Sequence, residues 1–149
     1  MRTGSLAAML ALLSLLYLVA GCGGDEPAAP TAADVVGLWT ATSYQYQSVP
    51  PDASYDVIAY GGAATLDLQQ DGDFELTVSP VGELSTTTYG FWELSGSTLG
   101  LTPQSLPYAW EFDAALNDGV LSLRGASVEH DFDHDDVPEA ATLDMLLVR

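Results

Sequence analysis

The sequence predicts an all-β domain, an antiparallel up-and-down barrel of about eight strands. Apolar and polar residues alternate over many short stretches after residue 35, and this period of two is typical of a half-buried strand. Turn residues separate these stretches, and no run of helical period interrupts them. Strands joined in order can close into a barrel, which removes exposed sheet edges. A two-layer sandwich of the same strands is the alternative architecture.

Two hairpins are evident in this pattern. The clearest has the turn Gln70-Asp71-Gly72-Asp73 between alternating apolar positions that run from Leu66 to Val78. The second has the turn Ser95-Gly96-Ser97 within an alternating stretch from residue 92 to residue 101. Both patterns place the apolar residues of the paired strands on one face, as a barrel interior requires.

The remaining strands complete the count. The turn Asn117-Asp118-Gly119 precedes a strand predicted to run through Val128 to Phe132. The opening segment 36–47 and the aromatic stretch 108–112 supply two more strands. The last segment, 141–148, has apolar residues at nearly every position, so we expect both of its faces to be covered.

The N-terminus has the features of an export signal. Met1-Arg2 is followed by an apolar run of about 15 residues, Leu6 to Ala20, which is short for a membrane span. Leu18-Val19-Ala20-Gly21-Cys22 then resembles the lipobox of bacterial lipoproteins. Residues 1–21 are therefore predicted to be a lipoprotein signal peptide. An ordinary secretory signal is the alternative, although the chain's one cysteine falls where lipidation requires it.

The resemblance to bacterial lipoproteins implies a location as well as a modification. Cys22 would become the mature N-terminus and carry a diacylglycerol and an acyl chain such as palmitate, which together anchor stably to a membrane. Residues 22–34 are small, polar and proline-containing, so we expect a disordered tether before a domain at 35–149. The implied location is the cell envelope, on a membrane surface outside the cytoplasm, and the outer membrane if the organism is Gram-negative. No second cysteine exists for a disulfide.

The charge of the chain limits its partners. The chain has 21 acidic residues and three arginines but no lysine, which gives a formal net charge of −18. Such a charge repels nucleic acid and anionic lipid, and it favours cations or a basic partner. A solvated acidic surface is the simplest interpretation.

The start of the domain resembles the lipocalins and the short bacterial lipocalin-like domains. Val36-Gly37-Leu38-Trp39-Thr40 is similar to the Gly-x-Trp motif that opens their first strand, and the long loop Ser48 to Asp56 follows, as in that family. The second lipocalin motif is not found near the middle turns. The resemblance implies that a late basic residue, Arg149 or Arg124, packs over Trp39.

The same resemblance implies that a small, mostly apolar ligand binds inside the barrel. The loop 48–56 and the turn 79–82 would lie together at its mouth, because alternate connections of a meander share one end. The residues expected to line a cavity are Trp92, Trp110, Tyr108 and Phe74. The alternative is that these side chains fill the core, and that the protein is a structural or interaction lipoprotein with an acidic surface.

A dense acidic segment lies at residues 129–139. His130 and His134 would be roughly 13 Å apart in an extended strand, so a zinc site using both requires a bend. Four carboxylates at favourable spacing resemble part of an EF-hand loop and suggest weakly bound calcium: Asp131, Asp133, Asp135 and Glu139. Asp136 replaces the turn glycine of that loop, and Thr142 replaces its closing glutamate. The alternative is an acidic turn that keeps the sheet edge soluble.

The sequence predicts a binding protein and not an enzyme. The single cysteine is assigned to the anchor, lysine is absent, and no Gly-x-Ser-x-Gly segment supplies a serine nucleophile. A pair of carboxylates for glycoside hydrolysis would need a cleft, for which a domain of this size has little room. The one cofactor considered is the weakly bound calcium.

Overall fold

The computed structural model of the protein describes residues 29–149. The predicted signal peptide, Cys22 and the tether up to residue 28 lie outside the described residues. Among residues 29–149, no helix is long and apolar enough to cross a membrane.

The described chain folds into nine strands preceded by one helical turn. Their bounds are α1 Ala32–Val35, β1 Gly37–Ser48, β2 Ser54–Asp56, β3 Ala63–Leu68, β4 Asp73–Ser79, β5 Thr86–Ser95, β6 Thr98–Pro103, β7 Trp110–Asn117, β8 Val120–His130 and β9 Glu139–Val148. Eight of the strands, β1 and β3 to β9, pair antiparallel with their neighbours, and β9 pairs with β1. The predicted eight-stranded up-and-down barrel is confirmed, and the flat sandwich is excluded.

The three predicted turns all connect paired strands. Leu68 lies opposite Phe74 in the first hairpin, and Leu94 lies opposite Leu99 in the second. In the third, Asp118 and Gly119 have φ angles of 50° and 81°, the left-handed pair that a two-residue hairpin turn needs.

Two details of the predicted strands are wrong. Only one face of β9 is covered, since its alternate residues from Ala141 to Leu147 are buried while Leu146 is 37% exposed. Leu146 faces outward because β9 belongs to a single closed sheet, and no second layer packs against it among residues 29–149. Strand β8 ends at His130, before Phe132, because the chain bends there into the loop 131–138.

The barrel has two different ends. The end formed by the turns 69–72, 96–97 and 118–119 is called the closed end, and the end formed by the loops 49–62, 80–85, 104–109 and 131–138 is called the open end. Large buried side chains fill the half of the barrel near the closed end: Trp39, Phe74, Phe112, Leu66, Leu68, Leu99, Leu101, Leu121, Leu123 and Leu147. Interior packing of this kind is the main source of stability in the domain.

Phe74 fits this core because its cross-strand partner is Gly90. A Cβ at Gly90 would lie 2.6 Å from Cε1 of Phe74 and 2.1 Å from the carbonyl oxygen of Thr102. A side chain at position 90 would therefore displace either the ring or the neighbouring strand.

The N-terminal segment covers the closed end. Val35 is buried, and its carbonyl oxygen accepts a hydrogen bond of 2.7 Å from Nε1 of Trp39. Residues 32–34, which the sequence assigned to the disordered tether, form α1 together with Val35. A capping box between Thr31 and Asp34 starts this turn. The compact part of the chain thus begins a few residues earlier than the alternation of strand residues indicates.

Arg149, rather than Arg124, packs over Trp39. The guanidinium carbon of Arg149 lies 4.5 Å from the centroid of the Trp39 ring. Nη2 of Arg149 also donates to the carbonyl oxygens of Asp34 and Val36, at 2.7 and 2.9 Å. Arg149 thereby fastens the segment that leads into the barrel.

Candidate functional site

A cavity of about 710 Å³ occupies the open end of the barrel. Its walls come from the open-end halves of β1, β4, β5, β7 and β8, and from three of the four loops at that end. The loop after β1 and the turn after β4 both contribute, through residues 53–55 and Pro80. The prediction that these two connections share the barrel mouth is confirmed.

Stacked aromatic rings form one wall of the cavity. Tyr46 on β1 lies directly opposite Tyr55 on β2, so both side chains project from the same face. The imidazole of His130 stacks on Tyr46 with a centroid distance of 4.0 Å and an interplanar angle of 4°. Phe132 meets His130 edge-on at 4.7 Å, and Tyr60 stacks on Tyr55 at 5.1 Å. All five rings line the cavity.

The floor of the cavity carries two tyrosine hydroxyls, one on the buried Tyr44 and one on the partly buried Tyr46. The hydroxyl of Tyr46 donates to that of Tyr44 at 3.4 Å, and the two rings meet edge-on at 5.5 Å. Burial raises the pKa of Tyr44 well above its ordinary value of 10.0, and burial also raises the pKa of Tyr46. Both hydroxyls are therefore neutral at pH 7, and they offer hydrogen bonds without charge.

His130 behaves as a neutral aromatic group in this wall. Burial among the rings lowers the pKa of His130 below its ordinary value of 6.5, although the carboxylate of Asp131 acts in the opposite direction. The imidazole is therefore mainly uncharged at pH 7.

A carboxylate fastens β2 and the following turn to the barrel. Oδ2 of Asp56 accepts a hydrogen bond of 2.6 Å from the hydroxyl of Ser43. Oδ1 accepts from the backbone N–H groups of Tyr44, Ile58 and Ala59, at 3.3, 2.8 and 3.2 Å. Partial burial opposes ionisation, but these hydrogen bonds outweigh it and lower the pKa of Asp56 below 3.8. Tyr55, next to Asp56, is thereby held in place beside the cavity.

The charged residues that line the cavity are acidic or histidine. Glu83 lies in the loop after β4, Asp131 follows β8, and His134 lies nearby. No lysine or arginine is among the described residues that line the cavity. Arg149 is at the closed end, and Arg124 lies on the outer wall beside Asp144.

Residues 131–139, called the acidic loop, comprise the loop 131–138 and the first residue of β9. They bring together the four carboxylates that the sequence predicts as calcium ligands. One oxygen from each of Asp131, Asp133, Asp135 and Glu139 lies within 4.8 Å of the others. Calcium binds oxygen at 2.3–2.6 Å, so the cluster, given small adjustments, is the right size for such an ion. Within residues 29–149, this grouping of metal-ligand side chains contains neither histidine of the alternative zinc site. Calcium binding here stays a prediction.

Hydrogen bonds within the loop already use some of these oxygens. Asp131 accepts from the backbone N–H groups of Asp135 and Asp136, at 3.2 and 3.0 Å, and Glu139 accepts from that of Phe132 at 3.0 Å. His134 and Asp136 have φ angles of 60° and 67°, which bend the chain back on itself. Burial and the nearby Asp135 carboxylate raise the pKa of Asp133, whereas backbone hydrogen bonds lower the pKa of Asp131 against its own burial.

Of the four aromatic residues predicted to line a cavity, only Trp110 does so. Phe74 is 1% exposed and belongs to the filled half, because it begins β4 at the closed end. Trp92 is also near that end, where its Nε1 donates to the carbonyl oxygen of Gln69 at 2.8 Å. Tyr108 lies in the loop 104–109 at the open end but is 51% exposed. Position along the strand, and not aromatic character, decides which side chains reach the cavity.

The sequence interpretation missed the tyrosines of the first two strands. Tyr44 and Tyr46 lie at alternate positions in β1, which is a signal for a shared face. Trp39 and Ala41 point inward, so strict alternation from them would turn the two tyrosines outward. An irregularity in the pairing with β9 near Thr42 shifts by one residue which side chains of β1 point inward. Nothing local in the sequence marks that shift.

Comparison with known protein families and with curated proteins finds no match for this chain. The function of the cavity therefore rests on the geometry and charge of its own residues. These are a preformed space, an aromatic wall, neutral hydroxyls at its floor and carboxylates at its edge.

Proposed function

We propose that the protein is a lipid-anchored binding protein of the bacterial cell envelope that holds a small, mostly apolar ligand in the open-end cavity. The observation that carries this proposal is the cavity of about 710 Å³ with its aromatic wall. Small-molecule sites usually measure about 300–1,000 Å³, and they combine apolar walls with a few polar groups that orient the ligand. The cavity has both features.

Contacts within the protein itself hold the aromatic wall in place. The rings of Tyr46, Tyr55 and His130 are stacked on one another, and Asp56 holds the segment that carries Tyr55. Because the wall is already ordered, its side chains lose less conformational entropy when a ligand binds. This favours a binding role for the open end over a purely structural one.

The proposed anchor is compatible with access to the cavity. Cys22 precedes the described residues, and the chain enters the barrel through α1 at the closed end. An anchor at Cys22 would therefore attach to the end opposite the cavity. The proposal that Cys22 is lipidated is supported by Val19-Ala20-Gly21 directly before it.

Native mass spectrometry of the full chain, extracted from bacterial membranes in a nonionic detergent, tests the proposal. We expect a mature protein that begins at a lipidated Cys22, together with a population that carries an additional small molecule. The Cys22→Ser variant is the control for the anchor, and it should lose the lipid mass.

A matched pair of variants locates the bound molecule. Thr88 lines the cavity, whereas Thr87 lies on the outer face of the same strand. Thr88→Trp places an indole in the cavity and should lower the fraction of protein that carries the extra mass, while Thr87→Trp should leave that fraction unchanged. A bare protein mass, or a bound mass that both tryptophan variants retain in equal fraction, would contradict a ligand in the cavity. The bare mass would favour the alternative, an interaction lipoprotein that acts through its acidic surface.

A further inference from the structure

We infer that the cavity selects an organic cation, an ammonium group carried on an apolar body. This inference rests on the proposed function and names the chemical class of its ligand. It is carried by two independent features of the same space, the aromatic rings and the sign of the surrounding charge.

The aromatic rings supply the first feature. Five rings line one region of the cavity, and Trp110 adds an indole from β7. The faces of Tyr and Trp rings attract cations, and quaternary ammonium ions are recognised by groups of such rings. Because the faces of the stacked rings largely cover one another, a cation in the cavity meets the outer face of the stack and the indole of Trp110. The same rings also provide the apolar contact that the body of the ligand needs.

The charge around the cavity supplies the second feature. Glu83 and Asp131 line it, and Asp133, Asp135 and Glu139 cluster with Asp131. No lysine or arginine lines it among the described residues, so no permanent positive charge there pairs with an anion. An anionic ligand would lose its hydration and meet carboxylates, whereas a cation would gain from them.

The rest of the molecule reinforces this preference. Arg124 and Arg149 are the only basic residues other than histidine after residue 2, and both lie away from the cavity. The net charge of −18 attracts cations toward the protein as a whole. A test must therefore separate binding in the cavity from general attraction.

Isothermal titration of the full chain in dodecyl maltoside with EDTA provides that test. Three probes share one benzyl group: benzyltrimethylammonium, dimethylbenzylamine N-oxide with no net charge, and phenylmethanesulfonate. We expect the cation to bind with a Kd about 5- to 30-fold below that of the uncharged probe. The sulfonate should bind most weakly. Added salt should raise the Kd of the cation but leave that of the uncharged probe unchanged.

Two carboxylate variants localise the effect. Glu83→Gln should raise the Kd of the cation about 2- to 5-fold. Glu93→Gln removes the same charge from an exposed position on β5 near the closed end, and it should leave the Kd unchanged. Trp110→Leu should raise the Kd of the cation about 3- to 10-fold, with a smaller effect on the uncharged probe. Thr88→Trp, which narrows the cavity, should raise the Kd of all three probes.

The failures are distinguishable. Equal or tighter binding of the uncharged probe or the sulfonate would overturn the cation preference and leave the cavity as a ligand site. Equal weakening by Glu83→Gln and Glu93→Gln would assign the effect to overall charge and would also overturn it. If none of the probes binds, the cation inference fails, and the mass spectrometry of the extracted protein decides separately whether the cavity holds another ligand.

Discussion

The two halves of this barrel use the same strands for opposite purposes. Near the closed end, Trp39, Phe74 and Phe112 interlock with leucines and leave no room for a ligand. Near the open end, the inward positions of the same strands carry Tyr46, Thr88 and other side chains around a cavity of about 710 Å³. The filled half stabilises the fold, and this stability allows the other half to remain open.

The two halves also differ in how their chain segments are held. The closed end has short turns and the Arg149 contacts over α1. The open end has long loops, of which the first is fastened by Asp56 and by the buried Ser48. Several side chains there remain exposed, and Leu84 on the edge of the cavity is 91% exposed. Stability and access are thus separated along the barrel axis.

The largest expected effect tests whether the filled half stabilises the barrel. Phe74→Ala should lower the free energy of unfolding by about 3–5 kcal/mol, because it leaves a void in a close-packed core. Trp110→Ala in the open half should lower the free energy of unfolding by clearly less, since that side chain already faces a cavity. Urea denaturation followed by circular dichroism measures both. Equal losses would mean that the two halves contribute equally to stability.

The next effect concerns the fastening of the open end. Asp56→Ala should lower the free energy of unfolding by about 1–3 kcal/mol, because it removes a charged acceptor of four hydrogen bonds. It should also speed hydrogen exchange at Ile58 and Ala59. Asp113→Ala, at an exposed position on β7, is the control and should change stability little. Unchanged exchange at residues 58 and 59 would contradict this role.

The same carboxylate predicts a pH dependence. Since the folded pKa of Asp56 is below 3.8, the stability it contributes is fully present above that value and is lost as the pH falls through the folded pKa. Between pH 5 and pH 2, the difference in stability between the wild type and Asp56→Asn should therefore shrink. A constant difference over that range would show that ionisation of Asp56 does not matter.

A smaller effect is expected at the closed end. Arg149→Met removes the cation over Trp39 and two hydrogen bonds to exposed backbone. It should lower the free energy of unfolding by about 1 kcal/mol. Arg124→Met, on the outer wall, removes the same charge and should cost less. Thermal denaturation of the two variants ranks them. The reverse ranking would mean that the Trp39 contact contributes nothing.

The smallest effect belongs to the acidic loop. If the four carboxylates bind calcium with a Kd of about 1 mM, then 1 mM calcium should stabilise the protein by about 0.4 kcal/mol. Asp133→Asn should remove this gain, while Asp118→Asn at the closed end should retain it. Thermal denaturation with calcium and with EDTA measures the difference. A gain that survives Asp133→Asn would indicate binding elsewhere.

Much of the fold could be predicted because its signals are local. The turn at residues 70–73 and the turn at residues 117–119 lie between alternating stretches, and both connect the expected strands. The acidic cluster was also predictable, because its four carboxylates lie within nine consecutive residues, from Asp131 in the loop to Glu139 at the start of β9. The aromatic wall was not, since Tyr46, Tyr55 and His130 come from three separate strands.

The sequence by itself determined the eight strands of the barrel, the hairpins and the negative charge, because each depends on neighbouring residues or on composition; β2 was assigned to a loop. Closure of β9 onto β1, the change of facing near Thr42 and the burial of Phe74 in the filled half were decided only by the tertiary structure. The physical reason is that an inward side chain either fills a core or lines a cavity according to its height in the closed barrel. That height depends on the register between distant strands, which no local pattern specifies.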